Sequence, residues 1–305
     1  MKEIQTTDYI MRHINKETVM NRGRILDTRE LVKDKIEELK IRVDKLKTRP
    51  KLVIIRVGKD FASGKYVANK IKRCEEVGIE SEIIHLHENV SQSDVAHRIK
   101  VLNDNAWTTG ILLQLPLPKT LDEDYLTSLI DPKKDVDGFT YENMGKLILG
   151  QEGNIACTPK GIMTMLKENN IDVKGKDVLI INRSNIVGKP LSMLMLQNDA
   201  TPMIAHSKTK NLMSKVWNSD IVVTAIGKSN FFKSKDFKPG TTIIDVSINF
   251  DENGKMCGDV CKSDYDRLIE KGCNITPVPF GVGTLTTFSL IEQTIEMHER
   301  YNNDR

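Results

Sequence analysis

Val178 to Leu191, VLIINRSNIVGKPL, constrains the fold of this chain more than any other stretch. Val178 to Ile181 is a short apolar run of the kind that forms a buried strand. Gly188-Lys189-Pro190 then opens an apolar segment, Leu191 to Leu196, that reads as a helix with proline in its first turn. Strand, tight turn and helix N-terminus together form an anion site, because backbone N–H groups and the positive end of the helix dipole point out of such a turn. A pyrophosphate fits there without a dedicated cation. The dinucleotide fingerprint has three glycines at this turn, and here only Gly188 remains, with Asn182 and Ser184 in the other two places. Asn tolerates a left-handed backbone and Ser is small enough to let a phosphate approach. Taken alone, the stretch is equally compatible with an ordinary strand-to-helix turn that binds nothing.

The flanking sequence repeats the alternation. A capped helix is expected from Asp27-Thr28, with Leu31, Ile36, Leu39, Val43 and Leu46 as its apolar stripe, ahead of a strand at Leu52 to Val57. A helix at Ser63 to Val77, a strand at Ser81 to Leu86 and a helix at Ser91 to Ala106 follow. The continuous apolar start of Gly110-Ile-Leu-Leu-Gln-Leu-Pro-Leu-Pro118 suits a central parallel strand buried on both faces. After a short helix near Asp122 to Ile130 comes the polar loop 131–138. A second alternation opens at Thr158-Pro159-Lys160-Gly161, with Pro at the first helical position, and its strands are expected at 178–181, 202–205, 221–226, 241–248 and 274–278. A last long helix is expected near Leu285 to His298. The fold class is therefore α/β: two α/β domains, the second a Rossmann-type parallel sheet, with ligand sites at the carboxyl ends of the strands.

A length of 305 residues leaves room for two cores, and a net charge of +3 with interleaved signs does not describe a nucleic-acid footprint. The first twenty residues have neither the apolar core of a secretory signal nor the composition of a transit peptide, and no apolar run approaches membrane-spanning length. The five cysteines lack paired zinc spacing, so no metal site is expected and reduced thiols in a cytoplasmic protein are the default.

Several residues are placed to do chemistry. On the helix of 63–78, Val67, Ile71, Cys74 and Gly78 form the packed face and Ser63, Tyr66 and Lys70 one edge of it. A Lys at an apolar rim is open to a lowered pKa, or simply snorkels; Tyr66 offers a ring for stacking, or a boundary residue. Gln114 stands at a strand end. Asp135 and Asp137 suit a donor-bearing heterocycle or a metal, and equally an Asx turn. His85 and His87 lack a third ligand in register, and His206-Ser207 ends a strand where a cofactor ribose or phosphate would lie.

Together the motifs resemble the bifunctional methylenetetrahydrofolate dehydrogenase/methenyltetrahydrofolate cyclohydrolase family over nearly the whole chain. They are Tyr66-Val-Ala-Asn-Lys70 with Cys74 and Gly78, the 110–118 run, Asp135-Val-Asp-Gly138, Cys157-Thr-Pro-Lys-Gly161, Arg183-Ser-Asn-Ile-Val-Gly-Lys-Pro190, His206-Ser-Lys-Thr-Lys-Asn-Leu212, Asp245-Val-Ser-Ile-Asn249 and Thr276-Pro-Val-Pro279. The resemblance implies a folate domain at 1–157, with a C-terminal helix at 284–305 packing back on it, and an NADP-binding domain at 158–283 across a substrate cleft. It makes Lys70 the catalytic lysine, Gln114 its partner amide, Tyr66 the stacking ring and Asp137 the carboxylate that grips the pterin. Pro279 and Gly281 fall at the folate, and Asn182, Arg183, Ser184, Gly188, Ser207 and Ile248 at the cofactor. The implied reactions are oxidation of 5,10-methylenetetrahydrofolate with NADP and hydrolysis of the methenyl product to 10-formyltetrahydrofolate, by a homodimer. A monofunctional dehydrogenase and a catalytically impaired folate- or nucleotide-binding protein are the alternatives. The chain departs from the family pattern at Phe61, Asn182, Ser247, Phe280 and Thr284.

Overall fold

A helix α1 (Arg29–Asp44) precedes β1 (Lys51–Val57), whose side chains alternate between two buried faces. Leu52 and Ile54 enter one core and Val53, Ile55 and Val57 another. The structure, a computed structural model, describes residues 22–58 and 61–301, so all but the last three residues of the polar extension expected over 1–24 lie outside it. Next come α2 (Phe61–Val77), β2 (Glu80–Leu86), α3 (Gln92–Asp104) and β3 (Gly110–Leu113), and the three strands pair in parallel in the order β2-β1-β3. The first core packs Val32 and Ile36 of α1 and Val67 and Cys74 of α2 beneath the sheet; the other packs Val95 and Ile99 of α3 above it.

Two expectations need correction here. The 110–113 strand is buried on both faces, but β1 is the central strand and β3 flanks it. The outer edge of β3 is closed by the polar loop, where the Ile111 N–H donates to the Lys134 carbonyl at 2.7 Å and Ile111 bridges to Asp135. Thr28 also does not cap α1 through its side chain. It is fully buried, and its hydroxyl lies 3.0 Å from the carbonyls of both Phe280 and Gly281.

After α4 (Glu123–Ser128), α5 (Tyr141–Ile148) and α6 (Cys157–Glu168) lead into the second half of the chain. Pro159 is the third residue of α6 rather than the first, because the helix already begins at Cys157. Then follow β4 (Asp177–Ile181), α7 (Gly188–Gln197), β5 (Thr201–Ala205), α8 (Leu212–Asn218), β6 (Ile221–Thr224) and β7 (Thr242–Asp245). A small antiparallel pair, β8 (Asn249–Phe250) with β9 (Met256–Cys257), precedes α9 (Tyr265–Glu270), β10 (Asn274–Ile275) and the last helix, α10 (Val282–Tyr301). The parallel sheet has the order β10-β7-β6-β4-β5, a doubly wound arrangement whose topological switch point lies between β4 and β6.

Three strands stop short of the sequence expectation. β6 ends at Thr224 because the Ile226 and Lys228 N–H groups turn to the Asp259 carboxylate. β7 ends at Asp245, whose side chain accepts from the Ser247 N–H at 3.2 Å. β10 ends at Ile275, ahead of Pro277 and Pro279, which have no N–H to continue a ladder.

The first core also gathers Val178 and Ile180 of β4, Ile162 and Met165 of α6, and Leu285, Ile291 and Ile295 of α10, so it is shared between the two sheets. The α6 and α10 helices touch closely at Gly161, where an added Cβ would stand 2.9 Å from the Leu285 Cβ and 3.0 Å from its carbonyl carbon. Helix α10 packs on α1 and α2 as well as on α6.

Candidate functional site

Helix α2 is seated by the buried Val67 and Cys74, and this places Lys70 at the half-buried rim of its face. Across from it, Gln114 follows β3, its N–H held by the Ile55 carbonyl of the central strand at 2.9 Å. The Lys70 ammonium donates to Gln114 Oε1 at 3.0 Å, and Gln114 Nε2 donates to the Leu115 carbonyl at 2.8 Å. Both ends of the amide are thus committed, so its oxygen faces the lysine. The pair stands at the carboxyl ends of β1 and β3, which is the switch point of the first sheet.

The two carboxylates of the polar loop separate into different tasks. Asp135 is buried, and its Oδ2 accepts from the Thr140 N–H at 2.8 Å and from Asn143 Nδ2 at 2.9 Å, so it holds the loop together. Asp137 is half-buried. Burial pushes its carboxyl up to about 6, with the Lys70 ammonium pulling against that and Asp135 adding to it. The Cys157 thiol is itself driven well above its usual range by burial, so it stays protonated, and it donates to the Val136 carbonyl at 3.4 Å. Lys70, Gln114 and Asp137 are therefore brought together. The side chain of Tyr66, one helical turn before Lys70, lies outside the described residues.

The loop carrying Pro279 and Gly281 enters α10. Pro279 is half-buried, and Gly281 is buried with its carbonyl beside Thr28. Phe280, between them, is exposed with a φ of +79°, a conformation that costs a non-glycine residue about 1–2 kcal/mol. The Thr28 N–H holds the Phe280 carbonyl at 3.0 Å, and the Arg29 guanidinium lies 4.6 Å over the ring.

In the second sheet, Asn182 does not take a left-handed backbone; its side chain organises the turn instead. Asn182 Oδ1 accepts from the Ser184 N–H at 2.8 Å, the Ser184 hydroxyl at 2.7 Å and the Gly188 N–H at 3.2 Å. Asn182 Nδ2 donates to the Ala225 carbonyl at 2.8 Å, across the switch point. The Val187 and Lys189 N–H groups are held by Ser184, so four amides expected to face an anion are turned inward. Arg183 stands exposed beside the turn. Ile181 of β4 is paired with Ala205 of β5, so Arg183 and Ser207, both exposed, lie two residues beyond neighbouring strand ends. Gly188 has no substitute: a Cβ there would meet the Asn182 carbonyl oxygen at 2.0 Å. Ile248 is exposed after β7, and the Cβ position of Gly283 at the start of α10 is 3.7 Å from its Cδ1.

A strand-to-helix turn on a doubly wound sheet, beside a second parallel sheet with a lysine, an amide and a carboxylate gathered near its own switch point, has the form of a two-domain α/β enzyme of the dinucleotide-dependent class. The model of the tetrahydrofolate dehydrogenase/cyclohydrolase catalytic domain matches residues 26–137, and that of the NAD(P)-binding domain of the same family matches residues 156–302. The chain belongs to the tetrahydrofolate dehydrogenase/cyclohydrolase family. It is 46% identical over 276 residues to the bifunctional protein FolD of Latilactobacillus sakei, covering 90% of this chain and 96% of that one. Identity to FolD of Agathobacter rectalis is 43% over 278 residues, with 91% and 98% covered. Among solved structures, the Campylobacter jejuni bifunctional enzyme is similar with a TM-score of 0.88 at 40% identity, covering 91% of this chain and 99% of that one. The Trypanosoma brucei enzyme, solved with NADP cofactor and an inhibitor, gives 0.85 at 31%, with 91% and 98% covered.

Proposed function

We propose that the enzyme oxidises 5,10-methylenetetrahydrofolate to the methenyl form with NADP and then hydrolyses that product to 10-formyltetrahydrofolate. NADP, when bound, supplies the acceptor for the hydride of the first reaction. The observation that carries the reading is the Lys70–Gln114 pair with Asp137 facing the same ammonium.

The pterin presents an amino group and a ring N–H side by side, and the Asp137 carboxylate accepts both, fixing the folate at the first sheet. The ring of Tyr66 stacks on the folate, and the loop of Pro279 and Gly281 borders it. Oxidation then needs alignment of two rings rather than a strong acid. In the hydrolysis, water adds to the methenyl carbon, and Lys70, held by Gln114, moves protons at the addition and the ring opening. The cofactor lies along Asn182, Arg183, Ser184, Gly188, Ser207 and Ile248, with the Arg183 guanidinium on the 2′-phosphate.

In this reading the folate domain spans 1–157 and the cofactor domain 158–283, with the terminal helix from 284 returning to the first. The enzyme is a cytoplasmic homodimer associating through the cofactor domain. The outer edge of β5, which pairs with no strand among the described residues and has Met203 and Ile204 exposed, supports that association. Among the described residues no helix is long and apolar enough to cross a membrane.

The test is a spectrophotometric assay with methylenetetrahydrofolate and each nicotinamide cofactor, following reduced cofactor and methenyl absorbance separately. Reduced NADP should accumulate while methenyl absorbance decays. Methenyl product that accumulates and hydrolyses only at the buffer rate would leave a dehydrogenase alone.

A further inference from the structure

The Gly258-Asp259 step, which no motif of the sequence singled out, brings a carboxylate to the centre of the second site. Asp259 is fully buried between the chain segments that follow β6 and β7. Its Oδ2 accepts from the Thr224 hydroxyl at 2.7 Å, the Ser247 hydroxyl at 2.7 Å and the Ile226 N–H at 2.9 Å. Its Oδ1 accepts from the Lys228 N–H at 2.9 Å and from Asn249 Nδ2 at 3.1 Å. Ser247 completes the clasp, its hydroxyl accepting from the Gly227 N–H at 3.1 Å. The neighbouring Asp245 answers in reverse, accepting from the Val260 N–H at 2.8 Å.

We propose that Asp259 is a positioning residue for the dehydrogenase reaction: it locks the loops after β6 and β7 into one surface, on which the nicotinamide half of NADP rests. This rests on the function proposed above. The two loops flank the carboxyl ends of adjacent parallel strands, and the β6 loop is joined across the switch point to the phosphate turn by Asn182 and Ala225. Ile248 stands between two of the residues that the carboxylate holds, Ser247 and Asn249. An ionised acceptor suits a cluster made only of donors; an amide in its place turns an NH2 toward some of them and leaves N–H groups unpaired in a buried site. The loops then separate, and the cofactor surface with them. The Lys70 site belongs to the other sheet, so the hydrolytic step keeps its geometry.

The experiment measures NADP KM, dehydrogenase kcat, cyclohydrolase kcat/KM and Tm for the full chain and for Asp259→Asn, Ser247→Ala and Ser247→Thr. Asp259→Asn should raise the NADP KM by about tenfold or more, the loss expected when charge-assisted bonds are broken, with cyclohydrolase kcat/KM within about twofold of wild type. Ser247→Ala, which removes one donor to the carboxylate and one acceptor from the Gly227 amide, should raise it by roughly three- to tenfold, and Ser247→Thr, which keeps the hydroxyl, should restore it. If Asp259→Asn does not fold, the Ser247 pair decides alone. Unchanged NADP KM in the folded variants, or parallel loss of both activities in step with Tm, overturns the inference. A wild-type chain without NADP-dependent oxidation overturns the functional reading instead.

Discussion

Lys70 and Gln114, which stand 44 residues apart in the chain, are joined by one hydrogen bond of 3.0 Å, and the amide's other end is fixed on Leu115. The lysine is thereby aimed by a group that cannot rotate without breaking two bonds. Lys70→Met, which keeps the length and the apolar stem, should lower cyclohydrolase activity by roughly 10²- to 10⁴-fold, the range expected for loss of a proton-transfer group, while Tm stays near wild type. Circular dichroism and the methenyl assay together check this. Full hydrolysis in a folded Lys70→Met protein would remove the lysine from the mechanism.

Gly161 carries a prediction about stability. Its Cα faces Leu285, and an added methyl meets both side chain and backbone at about van der Waals overlap, where neither helix has a flexible end to move. Gly161→Ala should therefore destabilise by about 1–3 kcal/mol, the usual cost of overpacking, despite the better helix propensity of alanine. Chemical denaturation gives the sign directly. A stabilised variant would mean that the α6 and α10 helices separate readily.

In the proposed function Arg183 carries the choice of cofactor. It and Ser207 project beyond the ends of paired strands, four amides of the turn are bonded within it, and the Lys189 ammonium is held by Asn185 Oδ1 at 2.6 Å, while the Arg183 guanidinium is exposed beside the turn. Arg183→Ala should cut the ratio of kcat/KM for NADP over NAD by about tenfold or more, since a charge-assisted phosphate contact contributes about 1.5–3 kcal/mol. Equal loss with both cofactors would move the 2′-phosphate to another residue.

How much of this could be read from the sequence depends on distance along the chain. The strands β1 and β4 announce themselves as β-branched runs, and Lys70, Gln114 and Asp137 fall in motifs whose order carries the family resemblance. Their convergence on one site was implied by that resemblance, and the structure supplies the contacts. The short helices α8 and α9, of seven and six residues, are too brief to display an amphipathic period and leave no signal in the sequence. In sequence Asn182 reads as a residue that tolerates a left-handed backbone, but in the structure it acts through a side-chain amide whose partner Ala225 is 43 residues away. Thr28 looks like a helix cap until its partners, 252 and 253 residues distant, are seen. Asp259 gives no local signal at all, because four of its five donors lie more than ten residues and up to 35 residues before it, on segments that only the sheet brings together.

Asp137 carries a prediction about pH. To accept from the paired pterin donors it must be ionised, and burial raises its carboxyl to about 6, against the pull of Lys70 and with Asp135 and Cys157 as its other near groups. Below that value the native protein holds a proton that the unfolded chain, with its ordinary carboxylate, releases. This contribution therefore favours the folded state at low pH and is lost as pH rises from about 4 through about 6. Affinity runs the other way. As pH falls through about 6 the acceptor becomes a neutral acid, and kcat/KM for the folate should fall by about tenfold per unit while the NADP KM stays nearly level. Asp137→Asn should lower folate kcat/KM at neutral pH by at least about tenfold, because it offers one acceptor oxygen and a misplaced donor, and it should abolish the inflection. Pre-steady-state and steady-state profiles from pH 5 to 8 on both proteins decide it: an inflection near 6 that survives in Asp137→Asn assigns the titration to another group and takes the pterin contact away from Asp137.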